Sequence, residues 1–374
     1  MRVRKSPRKI GGMIAALGLL VAACGGSDAA SLPTTEPASE TVEQAEVASE
    51  TETAETPAAD GGSCTAPEQT GPTLDVGIVA QFDTEAGQNA DGLTFDSAGN
   101  AYVSFAPLGE VARLSGDGSP PEVLGTIPGW DDPFPGIGGI IFGTDGNLYA
   151  AVAGSADTTG VWVFECGNGE PTRISGTEAM GFPNDLVFDD AGNLFVSDLH
   201  TSLAEGQALG AVWRISPDGD IGVWAEDVLL GGTNSFGIGY LGANGLAIGD
   251  DRIYVAVTEK ASVVEIMIAD DGEAGPITVL AESEQLIFVE DVAVGSTGNV
   301  FAVEAATNSL VAIDADGSIT TVAAVPEGNI DQPANVLLAP GSSGDELVFV
   351  SNNARFSEQV DGAGPSVVAI EPGL

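Results

Sequence analysis

The chain of 374 residues has few basic and few metal-binding side chains: one histidine, three cysteines, and 11 lysines and arginines against 55 acidic residues. One histidine excludes zinc sites built from several histidines, and three cysteines exclude zinc sites built from cysteine alone. Five of the basic residues lie within the first ten positions, so past residue 23 six basic residues face all 55 acids, a net charge of −49. A surface this negative repels phosphate backbones, which excludes nucleic-acid binding, and it attracts cations.

The chain also lacks a hydrophobic run long enough to span a membrane. Its most apolar N-terminal stretch, residues 10–23, is too short for a spanning helix and follows a basic segment, as in an export signal. The stretch ends in Val21-Ala22-Ala23-Cys24-Gly25, which resembles the bacterial lipobox, where the cysteine is lipidated and becomes the new N-terminus. We therefore predict a signal peptide over residues 1–23 and a lipid anchor at Cys24, which would hold the exported protein on the outer side of the cytoplasmic membrane. The alternative is a soluble secretory peptide with a chance cysteine.

The remaining cysteines and the segment before the second of them fit an exported protein. Without Cys24, the chain keeps one pair, Cys64 and Cys166, which we expect to form a disulfide in an oxidising compartment, the alternative being two free thiols. Residues 25–63 contain no aromatic and no basic side chain. Such a composition cannot bury enough apolar surface to fold, so residues 24–63 are predicted to be a disordered acidic tether.

From about residue 73 the chain repeats one pattern six times. Each unit has an apolar segment, a turn that often reads Gly-Asn, two further apolar segments, an Asp-Gly turn and a fourth apolar segment. The first apolar segments are spaced by 44 to 47 residues, with one spacing of 60, at Leu93, Ile140, Leu186, Leu246, Val292 and Val336. Short β-branched and aromatic segments between glycine turns indicate strands. Four strands per unit, six times, predict an all-β, six-bladed β-propeller over residues 64–374.

The two ends of the repeat array are predicted to close the ring. The last unit supplies three strands, and the apolar segment at residues 73–82 precedes the first unit, so we expect it to complete the last blade. Closure of this kind leaves no exposed edge strand. The spacing of 60 residues indicates an insertion, and we place it at residues 229–241, either as a cover for the channel mouth or as a loop without function.

One position of the repeat carries side chains that would converge on the propeller axis. It lies just before each apolar pair and holds Asp91, Gly138, Asn184, Asn244, Glu290 and Ala334. Four of these six residues offer side-chain oxygens, which are hard ligands that suit calcium, or magnesium or manganese with added water. Two carboxylates this close together would repel each other without a cation. The pattern predicts one divalent cation, the alternative being a hydrated polar channel.

Several stretches resemble the gluconolactonase and regucalcin (senescence marker protein) family of six-bladed propellers. The similarity is most specific at residues 182–198, which include Pro183-Asn184-Asp185-Leu186, and continues through residues 210–219 and 243–247. The resemblance implies one divalent metal at the channel mouth, with Asp91, Asn244 and Glu290 as ligands and Asn184 facing the substrate. The acidic residue types at positions 91 and 290 are exchanged relative to the family pattern. Phe182 stands where the sugar-lactone members carry an arginine, so the sugar specificity does not carry over.

The resemblance and the oxygen ring together predict an exported, metal-dependent hydrolase of a lactone or similar ester. Asp91, Glu290 or the single histidine, His200, would handle protons, since the ordinary pKa of histidine is near neutral. We expect a monomer that binds a small molecule and touches the membrane through its lipid anchor alone. The second hypothesis is a non-catalytic envelope scaffold with a flat, open face and no bound ion. An antibiotic-opening lyase is disfavoured, because that group has seven blades and a histidine-based site.

Overall fold

The computed structural model of the protein describes residues 64, 74–116, 119–131, 136–167, 169–204, 207–237, 239–324, 328–357 and 363–373. In these ranges the chain forms six four-stranded antiparallel sheets, each of which is one blade of a propeller. No helix within them has the length and apolar character of a membrane span. The all-β, six-bladed propeller is therefore confirmed, whereas the predicted signal peptide, lipidation site and tether lie outside the described residues.

The inner and second strands of the blades form the centre of the ring. The inner strands are β2 (Ala90–Phe95), β6 (Gly136–Phe142), β10 (Pro183–Phe188), β14 (Ala243–Ile248), β18 (Val289–Val294) and β22 (Pro333–Pro340). The second strands are β3 (Ala101–Phe105), β7 (Leu148–Ala153), β11 (Leu194–Ala204), β15 (Arg252–Val257), β19 (Val300–Glu304) and β23 (Glu346–Asn352). Each inner strand contacts those of the two neighbouring blades, and β22 contacts β2, so the ring is closed.

The third and outer strands complete the blades. The third strands are β4 (Glu110–Arg113), β8 (Gly160–Phe164), β12 (Gln207–Ile215), β16 (Ser262–Ile268), β20 (Ser309–Ile313) and β24 (Ser366–Ile370). The outer strands are β5 (Glu122–Thr126), β9 (Thr172–Arg173), β13 (Ile221–Asp227), β17 (Ala274–Glu282), β21 (Ile319–Ala324) and β1 (Gly77–Gln81). β1 pairs with β24, so the N-terminal segment completes the last blade, as the sequence predicted.

Tight turns and inter-blade packing explain why this sequence closes into a ring. The glycines of the Gly-Asn turns, Gly99, Gly146, Gly192 and Gly298, have φ between 81° and 85°, a region that glycine adopts without strain. Six hydrophobic clusters fill the six interfaces between blades. The interface that closes the ring contains an edge-to-face pair, Phe95 and Phe349, with ring centroids 5.0 Å apart. Apolar side chains therefore fill the interface between blades 6 and 1, where the ring closes, as they fill the other five interfaces.

The disulfide between Cys64 and Cys166 is present, with Cα atoms 5.2 Å apart. Cys166 follows β8, so residue 64 is attached to blade 2. The Cys166 backbone N–H also donates to Asn147 Oδ1 at 2.9 Å, which fixes the cysteine against the turn between β6 and β7. The pairing predicted from cysteine parity is therefore confirmed.

The insertion in blade 3 has two parts rather than the single loop predicted at residues 229–241. The first part is an extension of β11 and β12, which form a hairpin longer than the rest of their blade. The register of the two strands shifts after Asp198, and pairing resumes at Ser202. The loop at residues 229–241 is the second part. Glu259 holds it by accepting backbone hydrogen bonds from Thr233 at 2.7 Å, Asn234 at 2.6 Å and Leu241 at 3.1 Å. The loop is therefore fixed to blade 4.

Candidate functional site

A β-bulge at the start of every inner strand positions the predicted oxygen ring. The register of each inner strand with its second strand shifts between Ala90/Leu93, Ile137/Ile140, Pro183/Leu186, Ala243/Leu246, Val289/Asp291 and Pro333/Asn335. Each shift brackets one of the six ring positions. A bulge leaves a residue outside the ladder and redirects its side chain. The side chains at these positions therefore need not alternate between the two faces of the sheet, as they do in a regular strand.

Hydroxyl groups of the second strands hold the bulges and join neighbouring blades. Ser104 Oγ accepts a hydrogen bond from the Gly92 backbone N–H at 2.7 Å and donates to the Gly138 carbonyl of blade 2 at 2.7 Å. Ser351 Oγ accepts from the Asn335 N–H at 3.1 Å and donates to the Asp91 carbonyl, which joins blade 6 to blade 1. The recurrence of serine at this position of three second strands was a sequence signal that we did not use.

Asn244 and Glu290 meet across the interface between blades 4 and 5. The Asn244 amide donates from Nδ2 to Glu290 Oε2 at 2.7 Å and to Thr258 Oγ1 at 2.9 Å. Thr258 in turn donates to the Val289 carbonyl at 2.9 Å, so the contact is supported from the backbone of blade 5. Both partners of Asn244 use the amide nitrogen, which leaves the carbonyl oxygen as the atom that would bind a cation.

Asp91 reaches the same region from blade 1. Asn353, which follows β23, donates from Nδ2 to Asp91 Oδ2 at 3.1 Å, and its own carbonyl accepts from Asn89 Nδ2 at 2.8 Å. The charges of Asp91 and Glu290 lie close enough to interact. The three residues predicted as ligands are therefore gathered at one end of the channel, and Asn353 is a neighbour that the sequence analysis missed.

Asn184 lies in the equivalent bulge of blade 3 and is half-buried. Its backbone carbonyl packs against Gly138, where an added Cβ would come within 2.3 Å of the carbonyl oxygen. A side chain at position 138 would therefore push blades 2 and 3 apart, which explains glycine at a ring position without ligand oxygens.

The acidic residues at this end of the channel are hard to ionise. Burial raises the pKa of Glu290 from 4.5 to about 8, the Asn244 hydrogen bond opposes that rise, and the charges of Asp91 and Glu304 add to it. Burial likewise raises the pKa of Asp91 from 3.8 to about 7, against the hydrogen bond from Asn353. The pKa of Glu304, at the end of β19, is raised by burial to about 7. Close, buried carboxyls of this kind favour either protons or a cation.

A second acidic pair, Asp185 and Asp291, lies one residue further along β10 and β18. Asp185 Oδ2 accepts from the Leu246 backbone N–H at 2.8 Å, and Asp291 Oδ2 accepts from the Val336 N–H at 2.8 Å. The two carboxyls also share a hydrogen bond, and burial raises the pKa of both, that of Asp185 to about 6. The sequence analysis assigned no role to either carboxyl, and both bind the backbones of neighbouring blades.

The donor set at the channel mouth fits a hard divalent cation. Asp91, Asn244 and Glu290 offer two carboxylates and one amide, which is the oxygen chemistry of calcium and magnesium sites. Within the part of the chain that the structure describes, no three acidic, histidine or cysteine side chains form a cluster that would hold an ion unaided. A cation held by Asp91 and Glu290 would therefore need a further oxygen ligand, such as the amide oxygen of Asn244.

His200, the single histidine, lies within the extended β11, where the strand continues into the long hairpin with β12. Its side chain is outside the described part of the structure, so its predicted role in proton transfer is not tested.

Comparison with known proteins identifies the family. The sequence profile of the SMP-30/Gluconolactonase/LRE-like region matches residues 132–353, more than half of the chain. The chain belongs to this family. The match begins just before β6 and therefore covers blades 2 to 5 and the inner and second strands of blade 6, β22 and β23, whereas Asp91 in blade 1 lies outside it. No curated protein sequence matches the chain significantly.

Solved structures share the propeller fold of this SMP-30/gluconolactonase family member at low sequence identity. A calcium-binding protein, regucalcin, from Agrobacterium tumefaciens is 13% identical, with a TM-score of 0.58 over 81% of this chain and 95% of its own. A luciferin-regenerating enzyme is 15% identical, with a TM-score of 0.58 over 79% and 96%. A gluconolactonase from Xanthomonas campestris is 15% identical, with a TM-score of 0.54 over 82% and 98%. At these identities the likeness supports the fold alone.

Proposed function

We propose that this protein is a metal-dependent hydrolase of a lactone or similar ester, with its site at the channel mouth. One observation supports the proposal: Asn244 Nδ2 and Glu290 Oε2 are 2.7 Å apart, and the charge of Asp91 lies close enough to that of Glu290 to interact. Membership of the gluconolactonase-type family supports lactone hydrolysis in general.

Asp91, Asn244 and Glu290 would hold one divalent cation, calcium by preference and magnesium or manganese as alternatives. The calcium-binding regucalcin that shares this fold supports that choice. When bound, such an ion polarises an ester carbonyl and favours the ionised form of water. Its positive charge would also offset the repulsion between the ionised carboxylates of Asp91 and Glu290.

The residues around the ion would bind the substrate and transfer the proton. Asn184, in the neighbouring bulge of blade 3, would donate a hydrogen bond to the substrate. Water adds to the acyl carbon, the ring C–O bond breaks, and the products are a hydroxycarboxylate and one proton. An ionised carboxylate such as Asp91 or Glu290, or else His200, would accept that proton.

The site is proposed to operate outside the cytoplasm. The sequence around Cys24 supports lipidation and anchoring on the outer side of the cytoplasmic membrane. The bond between Cys64 and Cys166 supports an oxidising compartment, because structural disulfides persist there and are rare in the cytosol.

A pH-stat assay tests the proposal, since each hydrolysed lactone releases one proton. The protein, dialysed against chelator and then given calcium, magnesium or manganese, is assayed with δ-gluconolactone and γ-butyrolactone. We expect hydrolysis that needs the cation and falls at least a hundredfold in Asn244→Ala. Equal rates with and without chelator would contradict metal dependence. No hydrolysis and no bound ion would favour the envelope scaffold instead.

A further inference from the structure

The basic side chains past residue 23 are so few that the position of each is informative. Five of the six lie along the blades and bind carboxylates or carbonyls there: Arg113 and Arg214 on third strands, Arg173 on an outer strand, Arg252 on a second strand, and Lys260 between the second and third strands of blade 4. These contacts are Arg113 to Glu122, Arg173 to the Thr159 carbonyl, Arg214 to Glu273, Arg252 to Glu265 and Lys260 to the Val228 carbonyl. The sixth, Arg355, lies at the channel mouth, close enough to Asp91 for the two charges to interact.

The segment that carries Arg355 is held firmly at the mouth. Gln332 binds it on both sides of the arginine, since its carbonyl accepts from the Asn353 N–H at 3.0 Å and its Oε1 accepts from the Phe356 N–H at 2.8 Å. Ser357 Oγ donates to Asp331 Oδ1 at 2.7 Å. These contacts fix the backbone on both sides of Arg355, and Asn353 in the same segment binds the Asp91 carboxylate directly.

The Arg355 side chain is also partly withdrawn from water. It is half-buried, and its guanidinium lies 5.6 Å from the centre of the Phe356 ring. Burial lowers its pKa, although a guanidinium stays positive at neutral pH. A charge in a partly desolvated place interacts more strongly with a ligand than one on an open surface.

We propose that Arg355 is a specificity-determining residue that binds a carboxylate of the substrate, so that the substrate is a lactone or ester with a free carboxylate near the reacting ring. The inference rests on the proposed function. With a net charge of −49 past residue 23, the protein repels anions generally, and a guanidinium whose charge reaches Asp91 provides the local attraction that an anionic substrate needs. One guanidinium balances one carboxylate and can bind it through two parallel hydrogen bonds. A doubly charged phosphate would be repelled more strongly by Asp91 and Glu290.

Two probes of matched shape test the inference: 5-oxotetrahydrofuran-2-carboxylate and its neutral carboxamide. For the calcium-loaded wild type we expect the higher kcat/KM with the carboxylate. In Arg355→Gln the ratio of the two kcat/KM values should fall about tenfold to a hundredfold, as for the loss of a charge-assisted hydrogen bond. Arg355→Lys should recover part of the ratio, since it keeps the charge without the planar fork. Arg113→Gln, with the same change in net charge on an outer part of blade 1, should keep the wild-type ratio.

Results that would overturn the role of Arg355 differ from results that would overturn the proposed function. An equal loss with both probes in Arg355→Gln would show that Arg355 is a counter-ion of Asp91 alone, and a wild type without preference would equally overturn the inference. If the wild type hydrolyses neither probe, the proposed function fails, and calorimetry with 2-hydroxyglutarate, the ring-opened product of the first probe, decides the role of Arg355. Weaker binding to folded Arg355→Gln than to Arg113→Gln would support it; equal binding, or none to the wild type, would refute it.

Discussion

Replacing Glu290 by glutamine should stabilise the cation-free protein at alkaline pH and abolish its stabilisation by calcium. The pKa of Glu290 is raised from 4.5 to about 8 because the carboxyl is buried beside Asp91 and Glu304. A raised pKa means that the native state favours the protonated form. The contribution of protonated Glu290 to the free energy of unfolding is therefore complete below pH 4.5 and is lost as the pH rises through about 8. Glutamine is neutral at every pH and does not suffer this loss.

The size of the effect follows from the same shift. Each tenfold change in proton affinity corresponds to about 1.36 kcal/mol, so a pKa raised from 4.5 to about 8 sets an upper limit of about 5 kcal/mol. Glu290 keeps some contact with solvent, which screens its charge, and we expect about 2 to 3 kcal/mol at pH 8.5. Calcium at a hundred times its dissociation constant should instead stabilise the wild type by about 2.7 kcal/mol and Glu290→Gln by almost nothing.

Calcium should therefore close the gap in stability between the two proteins. Urea unfolding is measured at pH 8.5 with chelator and with calcium, and at pH 5.5 with chelator. We expect Glu290→Gln to be the more stable protein in chelator at pH 8.5, about equal to the wild type in calcium, and close to the wild type at pH 5.5. Glu371→Gln, at an exposed position after β24, is the matched control and should follow the wild type throughout. Equal stabilisation of Glu290→Gln and the wild type by calcium would refute the assignment of Glu290 as a ligand.

Three further predictions concern the rest of the chain. Reducing the bond between Cys64 and Cys166, which are 102 residues apart, should cost about 4.7 kcal/mol in urea unfolding, and an unchanged midpoint would contradict this. Cys24→Ser should leave the protein unprocessed or move it out of the membrane fraction; unchanged fractionation and lipid labelling would refute the anchor. Asn244→Ala should melt near the chelated wild type, whereas Asn184→Ala should keep calcium binding and lose turnover in the pH-stat assay. Equal loss of calcium by both variants would contradict their separate roles.

Local patterns determined the fold, because the relevant interactions repeat along the chain. Period-two apolar segments form strands, and glycines that adopt positive φ, such as Gly99 and Gly192, set where each strand turns back. The chain repeats this unit six times, and the faces of all six blades are buried only when the blades close into a ring. The disulfide followed from cysteine parity, and spacing alone singled out the ring position, at which Asn244 binds Glu290 and the charge of Asp91 interacts with that of Glu290.

Only the tertiary structure decided what surrounds that ring. Asn353 contacts Asp91 from 262 residues further along the chain, a distance at which no repeat pattern predicts a contact. The position of Arg355 depends on the same segment, and the Asp185–Asp291 pair forms across the channel. The raised pKa values follow from burial among these neighbours, and burial is a property of the assembled ring rather than of any one strand. Each blade is encoded locally, whereas the chemistry at the axis arises where six blades meet.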